Sequence, residues 1–136
     1  MSWDIFAWDL PQDLKSVREL PHDFKPKSFG SRSSVISRIK EIFPNADFPD
    51  PSWGLIDGSS WSIEVSLGKD QDCDSLTLHV RGEDAAVNAV ASIVDALGLR
   101  AIDAQTGEFF AAGPEALESF RAWRAYRDQI VASGKS

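Results

Sequence analysis

From Ser60 to Leu67 polar and apolar residues alternate without interruption, Trp61, Ile63, Val65 and Leu67 on one side and Ser60, Ser62, Glu64 and Ser66 on the other. A period of two describes a strand with one face in a core and one outside it. The next run repeats the pattern: Leu76, Leu78 and Val80 point one way, Ser75, Thr77, His79 and Arg81 the other. Two such strands in succession predict a hairpin in a one-sided antiparallel sheet. If Leu67 faces Leu76 and Val65 faces Leu78, then Glu64 lies opposite His79 and Ser62 opposite Arg81.

The rest of the chain supplies what covers that face. Trp3 to Leu10 is aromatic and β-preferring, ends at Pro11, and predicts a first strand. Its apolar residues fall on both sides, Ile5 and Ala7 against Phe6 and Trp8, which predicts an interior strand buried on both faces. Residues 11–30, interrupted by Pro11, Pro21 and Pro26, predict a loop with a helical turn or two within Asp13–Leu20. Ser31 caps a helix whose stripe is Val35, Ile36, Ile39, Ile42 and Phe43, and Pro44 ends it. Asn45–Gly58, with Pro49-Asp50-Pro51 and Asp57-Gly58, predicts a second loop anchored by Phe48, Trp53 and Leu55. A second helix lies between the acidic Glu83-Asp84 and Gly98, with Ala86, Val87, Val90, Ile93, Val94 and Leu97 on its buried face. A short strand, Arg100–Asp103, and a helix from Pro114 to about Ala132 complete the chain. The order strand, helix, strand, strand, helix, strand, helix predicts one ferredoxin-like α+β domain over residues 1–136. Its four-stranded antiparallel sheet carries helices on one face, and a C-terminal helix follows a core of residues 1–110.

Composition narrows the function. With 136 residues and 43% hydrophobic content the chain can build its own core. A formal charge of −7 repels phosphate backbones, which argues against a nucleic-acid ligand. A single cysteine excludes an internal disulfide, the first residues lack a signal-peptide pattern, and no apolar run approaches the ~18 residues of a membrane span. A cytoplasmic protein without membrane contact is expected.

Candidate chemistry is sparse. Glu64 beside His79 is a weak candidate acid/base pair; an ordinary cross-strand charge pair needs the same residues, and no nucleophile or second acid is near in the pattern. Asp70, Asp72 and Asp74 are spaced like the opening positions of a calcium loop, but Ser75 stands where its glycine belongs and Arg81 where its closing glutamate belongs, so no metal or other cofactor is expected. Cys73 lies between two aspartates that oppose its thiolate, and His22 has no partner at a metal-ligand spacing. Gly58-Ser59-Ser60 leads into a strand and lacks the helix amides of a phosphate site. On the last helix Phe120, Trp123, Tyr126, Ile130 and Val131 share one broad half with Arg124 and Arg127, a composition suited either to packing on the sheet or to an interface.

Three segments carry a resemblance: Ser2-Trp3-Asp4-Ile5-Phe6; Asp50-Pro51-Ser52-Trp53-Gly54 with Ile63-Glu64-Val65; and Leu97-Gly98-Leu99-Arg100 continuing through Asp103, Thr106, Gly107, Glu108 and Phe109. Over roughly residues 2–110 the chain resembles a family of small uncharacterised bacterial proteins, and is loosely similar to acidic immunity-type proteins that neutralise toxins. The resemblance implies no catalytic residue. The expected function is non-enzymatic binding of a protein partner through Trp8, Glu64 and His79 on the sheet face and Trp123, Arg124 and Arg127 on the last helix. The alternatives are a small hydrolase or isomerase using Glu64 and His79, and a structural homodimer joined through the open sheet.

Overall fold

The computed structural model describes residues 2–111 and 113–134, the side chains of 131–134 excepted, so that Val131 lies outside the described side chains. Six strands form one antiparallel sheet: β1 (Trp3–Trp8), β2 (Asp47–Asp50), β3 (Trp53–Asp57), β4 (Trp61–Ser66), β5 (Leu76–Gly82) and β6 (Arg100–Asp103). Their spatial order is β2-β3-β4-β5-β1-β6. The helices are α1 (Arg32–Ile42), α2 (Ala85–Leu97) and α3 (Pro114–Gly134), with a 3-10 turn at Val17–Glu19.

The period-two segments pair in the expected register, Val65 opposite Leu78, Glu64 opposite His79 and Ser62 opposite Arg81. Ile63, Val65, Leu78, Val90 and Ile39, predicted to share a core, are all fully buried in one cluster with residues from all three helices. Ser31 caps α1 through a 3.2 Å hydrogen bond from the Ser34 amide, and Gly98 closes α2 at φ 65°, where a side chain would be strained. Asp84 also stands at the start of α2, but its side chain makes no capping bond and turns instead to α3.

Two expectations need correction. The sheet has six strands rather than four, because Asn45–Gly58 folds as β2 and β3 instead of a loop. Its prolines and glycines hide the strand pattern and are tolerated for local reasons. Pro49 lies on the edge strand, where a ladder donor can be missing. Gly54 leaves room for Phe48, whose ring would lie 2.3 Å from a Cβ at that position. The second correction concerns β1, which is interior as expected, between β5 and β6, yet is buried on one face only. Trp3, Ile5 and Ala7 enter the core, whereas Phe6 and Trp8 stay half-exposed on the outer face with their ring centres 6.1 Å apart.

The contact between β2 and β3 is open to test. Gly54→Ala should destabilise the protein by about 1–3 kcal/mol, because the added methyl meets the Phe48 ring. In a Phe48→Ala background the same change should cost markedly less, a coupling measurable by a double-mutant cycle of urea unfolding. Equal costs in the two backgrounds would mean that Phe48 does not occupy that space.

Candidate functional site

The helices take the inner face of the sheet, and α3 is fastened there by polar contacts as well as by packing. Phe120 is fully buried and lies 5.0 Å from the Trp3 ring, and Trp123 stacks on Phe120 at 5.5 Å. Asp103 ends β6 as a carboxylate only 4% exposed. It accepts a 3.1 Å hydrogen bond from the Trp3 indole, one from the Ser119 hydroxyl and one of 2.9 Å from the Gln105 amide. An unpartnered buried carboxylate would be strongly unfavourable, and these three donors offset its desolvation. They also tie β1, the turn after β6 and α3 to one group.

A second fastening joins α3 to the start of α2. Arg121 pairs with Asp84 at 2.7 Å, and Arg124 reaches Glu83 at 2.7 Å and Asp84 at 3.2 Å. The hydrogen bond from Arg121, helped by the charges of Arg121 and Arg124, holds the Asp84 carboxyl below the usual carboxylate range against a smaller opposing effect of burial. Of the residues expected to form a binding surface on this helix, Trp123 is a core residue and Arg124 is engaged within the chain. Arg127 lies over the Trp123 ring at 5.2 Å and bonds the neighbouring Asp128. Tyr126 and Ile130, from the same apolar half, remain exposed at 56% and 44%.

The outer face is where candidate chemistry collects. Trp53, Leu55 and Asp57 on β3, Ser62, Glu64 and Ser66 on β4, and Thr77, His79 and Arg81 on β5 project there, joined by Asp4, Phe6 and Trp8 on β1 and Arg100 and Ile102 on β6. Glu64 and His79 are cross-strand neighbours, but they do not bond to each other. Glu64 lies 3.5 Å from Arg81. The imidazole uses both nitrogens elsewhere, Nδ1 at 2.9 Å from Asp4 Oδ1 and Nε2 at 3.5 Å from Ser66 Oγ. The alternation of β1 and β4 does not by itself single out Asp4 and Ser66. The signal that points to Asp4 is the placement of the first strand beside the strand carrying His79, which sets the two residues directly opposite each other.

The remaining candidates are quiet. Cys73 is buried, and burial first, then Asp72 and Asp74, pushes its thiol up against a lowering effect of Arg32, so the thiolate is disfavoured. His22 is exposed on its loop. Among the described residues no three His, Cys, Asp or Glu side chains converge as a metal site, and no helix is long and apolar enough to cross a membrane.

The clip between α2 and α3 predicts an acid-sensitive contribution to stability. Because the Asp84 carboxyl is held low in the folded chain, its contribution is complete above the unfolded value of about 3.9 and is lost as pH falls through the lower folded value. At low ionic strength the wild type should melt above Asp84→Asn at pH 6, and the gap should close as pH falls below about 3.9. A gap unchanged into strong acid would show that the charge of Asp84 does not hold α3.

No protein-family model matches the chain, and none of the curated proteins compared with it is significantly similar.

Proposed function

We propose that this chain is a protein-binding domain that docks its partner on the outer face of the sheet. The observation that carries the reading is the one-sidedness of the sheet: all three helices contribute to the core of the inner face, while the outer one keeps Phe6, Trp8, Trp53 and Leu55 partly in water. Aromatic rings accompanied by an arginine, here Phe6, Trp8 and Trp53 with Arg81, are residue types enriched at interface centres. Docking by strand addition is disfavoured. One edge, β2, carries Pro49 and a register shift, and the other is covered by an isolated bridge between Ile102 and Phe109.

Six strands spaced ~4.8 Å apart and about 20 Å long give a face of roughly 500 Å² in projection, against about 800 Å² per partner in a standard interface. A partner therefore has to use the whole width from Trp53 to Trp8. The net charge of −7 favours encounter with a basic partner. Immunity-type neutralisation of a toxin is the most concrete form of this reading. The order β4-β5-β1-β6, with α1 and α2 in the connections that cross the inner face, supports a ferredoxin-like plan extended by the β2–β3 hairpin.

A photo-crosslinking residue at Thr77, the centre of the face, tests the proposal in the native host. It should trap one discrete protein that the same residue at Ser92, exposed on α2, does not trap. Trp53→Ser and Trp8→Ser should each reduce that adduct severalfold without lowering the melting temperature by more than a few degrees. Identical adducts from Thr77 and Ser92, or none from Thr77, would remove the sheet face as the docking surface.

A further inference from the structure

The outer face holds an arrangement whose chemistry goes beyond docking. Asp4, His79 and Ser66 stand on three adjacent strands, β1, β5 and β4. Asp4 Oδ1 lies 2.9 Å from His79 Nδ1 and also accepts a hydrogen bond from the Ser2 hydroxyl. An ionised carboxylate only accepts, so in the neutral imidazole the proton sits on Nδ1. The lone pair of Nε2 then faces Ser66 Oγ, 3.5 Å away. A hydroxyl, a base and a carboxylate that orients the base are the parts of an activated serine nucleophile.

We propose that Ser66 accepts an acyl group from activated carboxylic esters, with His79 as its general base and Asp4 as the positioning residue. Ser66 Oγ attacks the ester carbonyl carbon while its proton passes to Nε2. As the tetrahedral adduct collapses, the bond to the leaving oxygen breaks, and the leaving group departs as an alcohol or phenol with the proton from Nε2. Water, deprotonated by the same nitrogen, then attacks the acyl-serine, releasing the carboxylic acid and restoring Ser66.

The surroundings set the substrate class. Side-chain exposures of 30% at His79 and 36% at Asp4 admit a small ester from solvent. Trp53 stands beside Ser66 in the register, and Phe6 lies beyond Thr77, so apolar rings flank an acyl or aryl group. The next amide, that of Leu67, is already bonded to the Ser52 carbonyl at 2.9 Å, so it does not serve as an oxyanion donor. Backbone donors of that kind contribute about 10²–10³ in rate, whereas a positioned base contributes about 10²–10⁴. Esters with good leaving groups are therefore within reach, and amides are not.

The test is independent of any docking partner. Full-length protein incubated with a fluorophosphonate probe should gain one adduct, mapped by peptide mass spectrometry to Ser66, and should hydrolyse p-nitrophenyl acetate. Ser66→Ala should abolish both signals, Ser62→Ala neither, and His79→Gln should slow labelling about 10²–10⁴-fold. Asp4→Asn should lower the rate and Asp4→Glu restore part of it. Should His79→Gln fail to fold, Ser66→Cys offers a second measurement: the imidazole should make it alkylate faster at neutral pH than Ser62→Cys. Labelling at another residue, no labelling at all, a rate indifferent to His79, or equal alkylation of the two cysteines would each overturn the proposal.

Discussion

The rest of the structure depends on removing one apolar face of a six-stranded sheet from water. Trp3, Ile5, Ile56, Ile63, Val65, Leu78 and Val80 project to one side, and no single helix is wide enough to cover them. α1 and α2 contribute aliphatic stripes, and α3 brings Phe120 and Trp123 against Trp3. At roughly 1.5–3 kcal/mol for each large side chain buried, this shared face outweighs any surface ion pair in the molecule. Its consequence is geometric: with three helices engaged on one side, the outer side is left to water and to whatever binds there.

Polar contacts decide how α3 is held rather than whether the core forms. Asp103 would be costly in its buried position without partners, so the Trp3 indole, the Ser119 hydroxyl and the Gln105 amide have to meet it together. That requirement links the first strand to the last strand and the last helix, 100 or more positions away. Arg121 and Arg124 add a more exposed clip to Glu83 and Asp84, which holds the orientation of α3 against α2. These contacts occupy Phe120, Trp123 and Arg124, while Tyr126 and Ile130 of the same helix stay exposed.

That face combines two properties that follow from the same alternation. Every second residue of β1, β3, β4 and β5 turns outward, so aromatic rings and charged groups from strands distant in sequence stand side by side. The rings keep apolar surface partly in water, and Ser66, His79 and Asp4 stand in a row linked through the two imidazole nitrogens. Glu64 belongs to the neighbouring pair with Arg81, which separates it from the imidazole that the cross-strand register sets beside it.

Sequence alone determined which residues of β4, β5 and α2 face the core, because strict periods of 2 and 3.6 leave one way to bury each stripe, whereas of the α1 stripe only Val35 and Ile39 are buried and Ile42 lies outside the core. It also excluded a one-residue slip between β4 and β5, which would expose Val65 and Leu78, while the pairing of Val65 with Leu78 itself is seen in the folded sheet. It did not reveal β2 and β3, whose Pro49 and Gly54 make sense only once β2 is known to be an edge and Phe48 to need space. Nor did it divide the apolar half of α3, where Phe120 and Trp123 are buried but Tyr126 and Ile130 are not, because periodicity gives a face and not how much of it is covered. The imidazole's partners were likewise decided by tertiary structure. Asp4 is 75 residues from His79, and only the pairing of β1 with β5 and the direction of each side chain choose Asp4 and Ser66 over Glu64.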